Sequence, residues 1–464
     1  MSTIYDVAII GGGPGGYVAA IRASQLGLKP VLIERENLGG ICLNWGCIPT
    51  KALLRSAEIY TTIKHADEFG ISVEGVKFDF DAIIKRSRNV SDKLTQGVGY
   101  LMKKNKIEVI EGEAAITKDK SLIVKTAKGD QTVKAKNIII GTGARARNLP
   151  GLEPDGKYIW AYREALMPDI MPKKLCVIGS GAIGVEFANF YNALGADVTI
   201  VELADRIVPA EDAEISDFAL KAFKKSGIKI LTQSSVKEAK PGKKDISLTI
   251  EDKNGKTKTE SFDRVITAIG ITPNVENIGL EGLGIELDRG FIKTDGWGKT
   301  NVANIYAIGD VTNPPWLAHK ASHEAIIAVE TLAGHSVKPL NGNLIPGCTY
   351  TTPQIASVGL TEDQAKEKGH KLKVGKFPFQ ANGKALALGE PDGMVKTIFD
   401  AKTGELLGAH MIGTEVTELI QGYAVAMGLE TTEHELMETV FPHPTLSEMM
   451  HESVLDAYGR ALHY

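Results

Sequence analysis

Residues 4–16 have the sequence IYDVAIIGGGPGG, in which a strand-like, mostly apolar run leads into a cluster of glycines. Gly11, Gly13 and Gly16 have the spacing G-x-G-x-x-G, a helical pattern follows them, and the next apolar run ends at Glu34. In such a unit the first glycine makes a tight turn, the second lets the backbone approach a pyrophosphate, and the third lets helix and strand pack closely. The stretch therefore predicts a βαβ unit that binds a dinucleotide.

The same pattern occurs a second time, after a strand-like run that ends at residue 178. Gly179, Gly181 and Gly184 repeat the glycine spacing, and the next strand-like run ends at Glu202. The interval from the third glycine to the acid is the same in both copies. Two complete copies predict two dinucleotide-binding folds in one chain.

The two acids limit the kind of nucleotide. Glu34 and Glu202 stand where a carboxylate can accept hydrogen bonds from ribose hydroxyls. An acid at this position would repel the 2′-phosphate of NADP, so both copies favour nucleotides without that phosphate. Arg206 lies four residues beyond Glu202, and its positive charge leaves NADP as an alternative at the second site.

The bulk properties of the chain limit its class. Its 464 residues suffice for about three domains. The net charge is −4 and no basic stripe is present, which argues against nucleic acid as a partner. No apolar segment is long enough to span a membrane, and the N-terminus lacks the basic and apolar regions of a signal peptide. We therefore expect a cytoplasmic protein without a membrane span.

A close pair of cysteines lies in the stretch 39–51, which reads GGICLNWGCIPTK. In an ideal helix Cys42 and Cys47 would be about 8–9 Å apart between Cα atoms, whereas a disulfide needs about 7 Å or less. Gly46 supplies the freedom for a local distortion. A bridge over so short a loop would stabilise the fold little, which favours a redox role. Lys51 could stabilise a thiolate or an anionic flavin.

Other uses of the cysteines are weaker. Cys42 and Cys47 could be two unconnected buried thiols. A metal site is disfavoured, because no second cysteine or histidine pair has suitable spacing. Cys176, inside a strand-like run, and Cys348 are more typical of small core residues.

A histidine near the C-terminus could serve a thiol reaction. His443 lies between two prolines, which fix the local backbone. Glu448 could hold one ring nitrogen and leave the other as a base, and thiol–disulfide exchange needs such a base because the thiolate is the nucleophile. His319 and His323 lie four residues apart; zinc is conceivable there, but a helix packed near a cofactor fits better.

Together, the stretch 39–51, the stretch 443–448 (HPTLSE) and the two glycine patterns resemble the pyridine nucleotide–disulfide oxidoreductase family. The resemblance covers essentially the whole chain, in family order. It implies an α/β protein with two Rossmann-like domains, for FAD and NAD, and a C-terminal α+β dimerisation domain. The implied division is 1–145 and 271–345 for FAD, 146–270 for NAD and 346–464 for the interface.

The resemblance also implies residue roles. Residues 300–310 resemble a second flavin motif, in which Asp310 would hold the flavin ribitol, and residues 138–143 resemble a crossover strand. Lys51 and Glu186 are implied to pair near the flavin ring. The implied cofactor-binding residues, for FAD and NAD together, are Gly11, Gly13, Gly16, Glu34, Lys51, Ala114, Thr142, Gly143, Gly309, Asp310, Ala318, Gly179, Gly181, Gly184, Glu186, Glu202, Val236 and Gly270.

The chain departs from the common family pattern at a few positions. Ile41 stands where threonine is usual, Trp45 where a small aliphatic residue is usual, and Thr50 where serine is common. Ile271 occupies a position that is often arginine, and Phe441 one that is often histidine. None of these changes removes a redox group.

The activity implied by the resemblance is oxidation of protein-bound dihydrolipoamide. The substrate would attack Cys42 of a Cys42–Cys47 disulfide, with His443 taking the proton and Glu448 orienting it. Cys47 would pass two electrons to FAD and then to NAD. The implied assembly is a homodimer in which the histidine comes from the partner subunit. The implied partners are lipoyl domains of 2-oxo acid dehydrogenase complexes or of H-type glycine-cleavage proteins.

Two alternatives remain at this level. One is another disulfide reductase of the same family, similar to glutathione or mercuric reductases. A glutathione-reductase-like protein would want basic residues near Glu202, and a mercuric-reductase-like one a C-terminal cysteine pair, whereas this chain has no cysteine after Cys348. The other is a flavin-binding subunit without turnover, which the intact cysteines and histidine disfavour.

Overall fold

The structure is a computed structural model that describes residues 4–464. Over these residues the chain forms 24 strands and 13 α helices. The strands are β1 (Ile4–Ile10), β2 (Pro30–Glu34), β3 (Glu108–Glu111), β4 (Glu113–Ile116), β5 (Leu122–Thr126), β6 (Gly129–Ile140), β7 (Ala144–Ala146), β8 (Ile159–Trp160), β9 (Lys174–Ile178), β10 (Asp197–Val201), β11 (Lys229–Leu231), β12 (Ser235–Pro241), β13 (Ile246–Glu251), β14 (Thr257–Phe262), β15 (Arg264–Thr267), β16 (Ile271–Pro273), β17 (Leu287–Asp288), β18 (Phe291–Ile292), β19 (Ile305–Ala307), β20 (Gly347–Thr349), β21 (Gln354–Gly359), β22 (Leu372–Pro378), β23 (Met394–Asp400) and β24 (Leu406–Gly413). The helices are α1 (Pro14–Gln25), α2 (Gly40–Trp45), α3 (Cys47–Lys64), α4 (Phe80–Lys104), α5 (Tyr162–Leu166), α6 (Ala182–Ala193), α7 (Ala213–Lys225), α8 (Ala318–Leu332), α9 (Glu362–Glu367), α10 (Gly383–Ala387), α11 (Val416–Gly428), α12 (Glu433–Glu438) and α13 (Glu448–Ala457).

The chain divides into two compact units. The first unit contains residues 4–52, 84–147 and 271–342, and the second contains residues 53–83, 148–270 and 343–464. Each unit therefore collects segments that are far apart in sequence.

The first unit is built on a parallel sheet in the order β3-β2-β1-β6-β19. Only the second half of β6 belongs to this part, because its first half turns into an antiparallel ladder with β5 and β4. The connection from β1 through α1 to β2 is the βαβ crossover that the glycine pattern predicted.

Side chains of β1 alternate between two cores, as a strand buried on both faces requires. Val7 and Ile9 belong to the core that includes residues of α1 and α8. Ala8 and Ile10 belong to the core that includes β4 and β5. The carboxyl end of β1, where the glycine turn begins, is thus held from both sides.

The second unit repeats this plan. A parallel sheet has the order β11-β10-β9-β15-β8, and the antiparallel strands β12, β13 and β14 pack on it. Ile246, Leu248 and Ile250 of β13 share a core with Cys176, which is fully buried, as expected of a core residue.

The last segment of the second unit forms an antiparallel sheet in the order β20-β21-β24-β23-β22. Helices α11 and α13 contribute to its core through buried residues such as Tyr423 and Met449. Tyr423 is fully buried and donates its hydroxyl to the carbonyl of Met450, which links the two helices. Helix α13 begins at Glu448, so this packing also positions that carboxylate.

Residues 290–310 form short elements and not one long strand. The structure has the short strands β18 and β19 there, separated by a turn. Asp295 stabilises that turn, because its carboxylate accepts hydrogen bonds from the amides of Trp297 and Lys299 at 2.9 Å each. The side chain thus competes with the sheet ladder for backbone donors. No described helix combines the length and apolar character needed to cross a membrane.

Candidate active site

The first glycine turn, after β1, is shaped by contacts of the chain with itself. Gly11 has φ +103°, and a Cβ there would lie 2.2 Å from the carbonyl oxygen of Gly141. A Cβ on Gly16 would lie 1.8 Å from the carbonyl oxygen of Gly11. At Gly13, in contrast, the nearest described atom would be 3.9 Å away, the Cα of Gly40. The second glycine therefore faces open space that a phosphate could approach.

The second glycine turn, after β9, has the same distribution of contacts. Gly179 has φ +98°, and its Cβ would lie 2.4 Å from the carbonyl oxygen of Ala268. A Cβ on Gly184 would lie 2.2 Å from the carbonyl oxygen of Gly179, whereas no described atom lies within 4 Å of a Cβ built on Gly181. Both turns fit a dinucleotide at the N-terminus of the following helix.

The two acids at the strand ends hold the glycine turns. Glu34 accepts hydrogen bonds from the amide of Gly12 at 2.6 Å and from the amide of Glu36 at 2.7 Å. Glu202 accepts from the amide and hydroxyl of Ser180, at 2.8 and 2.6 Å, and from the amide of Ala204 at 2.7 Å. Each carboxylate can still accept a hydrogen bond from a ribose hydroxyl, so binding of the ribose stays a proposal for both residues. In addition, each carboxylate holds its glycine turn in place.

The segment that follows β6 is tied to Asn274. The hydroxyl of Thr142 donates to the carbonyl of Asn274 at 2.7 Å, and the side-chain amide of Asn274 donates to the carbonyl of Thr142 at 2.9 Å. The amide of Asn274 donates to the carbonyl of Gly143, which has φ +66°. Gly270, at φ +108°, has no described atom within 4 Å of a Cβ built on it.

Asp310 lies in a short 3₁₀ turn, Gly309–Val311, that precedes α8. Burial raises the pKa of Asp310 to about 6; Lys320 opposes this rise and Glu324 adds to it. Glu324 accepts a hydrogen bond from the amide of Gly309 at 2.7 Å and pairs with Lys320 at 2.7 Å. Lys320 also donates to the hydroxyl of Thr312 at 3.0 Å. A buried carboxyl whose pKa is raised is suited to ligand hydroxyl groups, as the ribitol role requires.

Glu186 lies in α6 and is buried, with its carboxylate accepting a hydrogen bond from the amide of Tyr350 at 2.9 Å. Its implied pairing with Lys51 stays a prediction. The other implied cofactor contacts are a buried residue of β4, the first residue of α8 and a half-buried residue of β12, namely Ala114, Ala318 and Val236.

The cysteine pair lies at a break between two helices. Helix α2 ends at Trp45, Gly46 has the non-helical angles φ −145° and ψ −114°, and α3 begins at Cys47. The distortion predicted at Gly46 is therefore confirmed. None of the four cysteines, including Cys42 and Cys47, forms a disulfide within the described residues.

The two thiols of the pair interact. A hydrogen bond to Cys47 raises the pKa of Cys42 well above its usual range; burial and the charge of Cys47 add to the rise, and Lys51 opposes it. Cys42 therefore keeps its proton in the reduced pair and serves as the donor. Lys51 follows Cys47 by one helical turn of α3, where its positive charge can stabilise a thiolate of the pair.

Sequence reasoning missed three residues that hold this segment. Asn44 lies between the two cysteines, and Arg88 donates a hydrogen bond to its carbonyl oxygen while Thr95 donates one to its side-chain oxygen. Arg88 and Thr95 lie in α4, more than 40 residues from the pair, and no spacing rule connects them to it. Trp45 was noted as a departure, but its partner could not be named.

His443 and Glu448 form the expected pair. Nδ1 of His443 lies 2.9 Å from one carboxylate oxygen of Glu448, whose other oxygen accepts from the amide of Thr445 at 2.9 Å. Burial would raise the pKa of Glu448, but the bonds from Thr445 and His443 together hold it below its usual range. The His443 side chain is 79% exposed, so its Nε2 face is open. Within residues 4–464 no three His, Cys, Asp or Glu side chains converge as metal ligands.

The comparisons with known proteins identify the class. A profile described as "Pyridine nucleotide-disulphide oxidoreductase" matches residues 5–325, and one described as its dimerisation domain matches residues 345–454. The chain belongs to the pyridine nucleotide–disulphide oxidoreductase family, as its motifs indicated. It is an α/β protein of the expected class, and the dimerisation domain supports a homodimer.

Individual relatives narrow the comparison. The chain is 59% identical to the dihydrolipoyl dehydrogenases of Rhizobium etli and Zymomonas mobilis, and each match covers 100% of both chains. Among solved structures, it is similar to LpdA from Mycobacterium tuberculosis, with a TM-score of 0.91, 27% identity and coverage of 97% of this chain and 99% of that one. It is also similar to a Cu(II) complex of the HOCl-induced flavoprotein disulfide reductase RclA from Escherichia coli, with a TM-score of 0.87, 27% identity and coverage of 98% and 99%. Proteins of this class use FAD and NAD(H).

Proposed function

We propose that this protein oxidises protein-bound dihydrolipoamide to lipoamide and reduces NAD to NADH. The observation that carries the proposal is the hydrogen-bonded thiol pair of Cys42 and Cys47 at the break between α2 and α3. Two relatives that match over the full length of both chains at 59% identity bear the name dihydrolipoyl dehydrogenase, which supports this substrate over other disulfides.

The exchange step uses the difference between the two cysteines. With the pair oxidised, one substrate thiolate attacks the sulfur of Cys42, the Cys42–Cys47 bond breaks, and Cys47 leaves as the thiolate. The second substrate thiol then displaces Cys42, which closes the lipoamide disulfide and leaves Cys42 as the thiol. Two electrons enter the pair, and the substrate gives up two protons.

His443 is suited to accept the first of these protons. Its Nδ1 is held by Glu448, which leaves Nε2 as the base, and its ring is open to an incoming group. A base is needed because a free dithiol is largely protonated at neutral pH and only its thiolate attacks. The proposed homodimer supplies this histidine from the partner subunit.

The cofactors complete the reaction. When bound, FAD would supply the two-electron and hydride-transfer chemistry that connects the cysteine pair with NAD. This chain contributes the first glycine turn, Asp310 and the segment at Thr142 to FAD, and the second glycine turn with Glu202 to NAD. We propose the same cofactor-binding role for the other residues that the family resemblance implies. The division into FAD, NAD and interface domains is part of this proposal.

The proposed physiological partners are lipoyl domains of 2-oxo acid dehydrogenase complexes or of H-type glycine-cleavage proteins. A swinging lipoyl group fits a reaction in which the acceptor thiol, Cys42, must be reached by a substrate attached to another protein. The proposed compartment is the cytoplasm, where thiol pairs of this kind work as reversible redox centres.

The test is the initial rate of NADH formation from dihydrolipoamide, with NADP and with NADPH plus oxidised glutathione as parallel assays. Fast turnover with NAD is the expected result. Matched variants Cys42→Ser and Cys47→Ser should lose it, whereas Cys348→Ser should keep it, because Cys348 lies in β20 and its thiol contacts the carbonyl of Thr417. Activity only with NADPH and another disulfide would refute the lipoamide assignment.

A second candidate is a disulfide reductase with a different substrate. The similarity to RclA over 98% of the chain favours it, because that protein shares the fold and is named a disulfide reductase. The same assay separates the two candidates, since only the first requires dihydrolipoamide to be consumed. An inactive protein that binds FAD would instead indicate a subunit without turnover.

A further inference from the structure

A single arginine of α4 holds the segment between the two cysteines. Nη2 of Arg88 donates to the carbonyl oxygen of Asn44. The guanidinium carbon of Arg88 also lies 4.5 Å from the centre of the Trp45 ring, within the range of a cation–π contact. Arg88 thus fixes two consecutive residues of the four that separate Cys42 from Cys47.

Asn44 secures the same segment from the other side. Its side-chain amide donates to the carbonyls of Leu38 and Gly40, at 3.0 and 2.9 Å. Its side-chain oxygen accepts from the hydroxyl of Thr95, one residue of α4, at 2.9 Å. Asn44 is 7% exposed, so these bonds are largely protected from water. Between Asn44 and Cys47, the non-helical angles belong to Gly46 alone.

The guanidinium is held there against an electrostatic cost. Nη1 of Arg88 is buried and has no hydrogen-bond partner among the described residues. Burial lowers the pKa of Arg88, and nearby Asp92 opposes that change only in part. An unmatched buried donor costs free energy, so the contacts with Asn44 and Trp45 must outweigh it. This pattern is what a positioning role for Arg88 requires.

We propose that Arg88, through Trp45 and Asn44, keeps the reduced cysteine pair close to the geometry of the disulfide and so makes the pair a stronger reductant. The proposal rests on the redox function proposed above. A disulfide restrains its own loop, whereas the dithiol form is restrained only by the surrounding contacts. Ordering by Arg88 therefore acts mainly on the dithiol, reduces the entropy lost on bond formation and favours the disulfide.

The relevant equilibrium is exchange with a reference dithiol. Reduced dithiothreitol and the Cys42–Cys47 disulfide give oxidised dithiothreitol and the two cysteine thiols, so that two electrons and two protons move together. In the full-length, flavin-loaded protein the redox mixture is varied, the thiols are trapped by alkylation, and the oxidised fraction of the pair is measured by mass spectrometry. This readout does not depend on turnover.

The expected result is a shift toward the dithiol of about three- to tenfold in Arg88→Met and in Trp45→Val. A tenfold shift corresponds to about 30 mV for a two-electron couple. Trp45→Phe should stay close to the unaltered protein, because it keeps an aromatic face for the guanidinium. Arg88→Lys keeps the charge without the planar fork and should show most of the shift. Lys93→Met, which removes an exposed charge from the same helix, should show none.

Three outcomes would overturn the inference. Identical exchange constants for Arg88→Met and the unaltered protein, with both folded by circular dichroism and melting temperature, would show that the contacts do not act on the redox pair. An equal shift in Lys93→Met would assign the effect to net charge. Retention of the unaltered constant in Arg88→Lys and Trp45→Val together would also refute it. If the unaltered protein never forms a Cys42–Cys47 disulfide, the proposed function itself fails, which is a different result.

Discussion

The carboxylate of Glu202 accepts two hydrogen bonds from Ser180, one from its amide at 2.8 Å and one from its hydroxyl at 2.6 Å. The corresponding position in the first turn is Gly12, which has no hydroxyl and donates only its amide to Glu34. Two hydrogen bonds from one neighbour therefore restrict the orientation of the Glu202 carboxylate. A fixed carboxylate discriminates well between a ribose hydroxyl and a phosphate, because it cannot turn away from the added negative charge.

Replacing Glu202 should weaken discrimination between NAD and NADP. In Glu202→Gln we expect kcat/KM for NAD to fall by about 10- to 100-fold, the effect of losing a hydrogen bond to a charged group. The value for NADP should fall less or rise, because the repulsion is removed. Glu238→Gln, on exposed β12, is the matched control and should change neither value. An unaltered NAD to NADP ratio in Glu202→Gln would contradict the assignment.

The two glycines Gly181 and Gly184 should respond differently to alanine. Gly184→Ala places a Cβ 2.2 Å from a backbone oxygen, so we expect unfolding to become easier by about 1–3 kcal/mol or more. Gly181→Ala meets no described atom within 4 Å and should leave stability unchanged while weakening NADH binding. Denaturant titration and NADH fluorescence measure the two effects. Equal loss of stability in both variants would show that the second glycine is structural.

His443 and Glu448 should have unequal effects on turnover. His443→Gln removes the proposed base and should reduce kcat by about 10²- to 10⁴-fold. Glu448→Gln keeps the histidine and should cost less. Steady-state rates with dihydrolipoamide measure both, and His434→Gln, on exposed α12, is the control. A larger loss in Glu448→Gln than in His443→Gln would make the carboxylate, rather than the imidazole, the proton acceptor.

The same pair sets an expectation for pH. The pKa of Glu448 is lowered in the folded protein, so its ionised contact with His443 is present above the ordinary glutamate range and is lost only as the pH falls through the lower folded value. Activity should therefore show no decline attributable to Glu448 between pH 8 and about pH 5. A pH profile of kcat/KM for the protein and for Glu448→Gln checks this. A limb near pH 5 that disappears in the variant would contradict it.

An ion cluster around a buried lysine in the second unit should make the stability of the fold sensitive to acid. Lys396 is 1% exposed and pairs with three carboxylates, at 2.8 Å to Asp212, 2.6 Å to Glu214 and 2.7 Å to Glu362. The pKa values of all three carboxylates are lowered, so their stabilising effect is lost as the pH falls below about 4. Lys396→Met leaves buried Asp212 unpaired and should cost about 3–5 kcal/mol in a denaturant titration at neutral pH.

The control for this cluster is an exposed ion pair. Lys225 pairs with Asp392 at 2.7 Å, but the two side chains are 77% and 62% exposed. Lys225→Met should therefore change stability little, because water and salt screen such a pair. Similar effects of Lys225→Met and Lys396→Met would mean that burial does not strengthen the cluster.

Much of this arrangement follows from sequence because it depends on local spacing. The strands and helices around both glycine patterns lie within one or two residues of their predicted positions, and the break at Gly46 follows from the disulfide distance limit alone. Contacts such as Arg88 with Trp45 could not be predicted, since they depend on how α4 packs in the first unit. The turn at Asp295 could not be predicted either, because it forms where the carboxylate of Asp295 accepts hydrogen bonds from the amides of Trp297 and Lys299.

The closure of both glycine turns by the chain's own atoms has a consequence for substitutions at the first and third glycines. Gly16 lies against Gly11, and Gly184 lies against Gly179. In each turn the carboxylate at the end of the next strand accepts a hydrogen bond from a backbone amide. The geometry of both glycine turns is thus set by contacts within the chain. A side chain introduced at these glycines should therefore lower the yield of folded protein, and an added supply of flavin should not restore that yield.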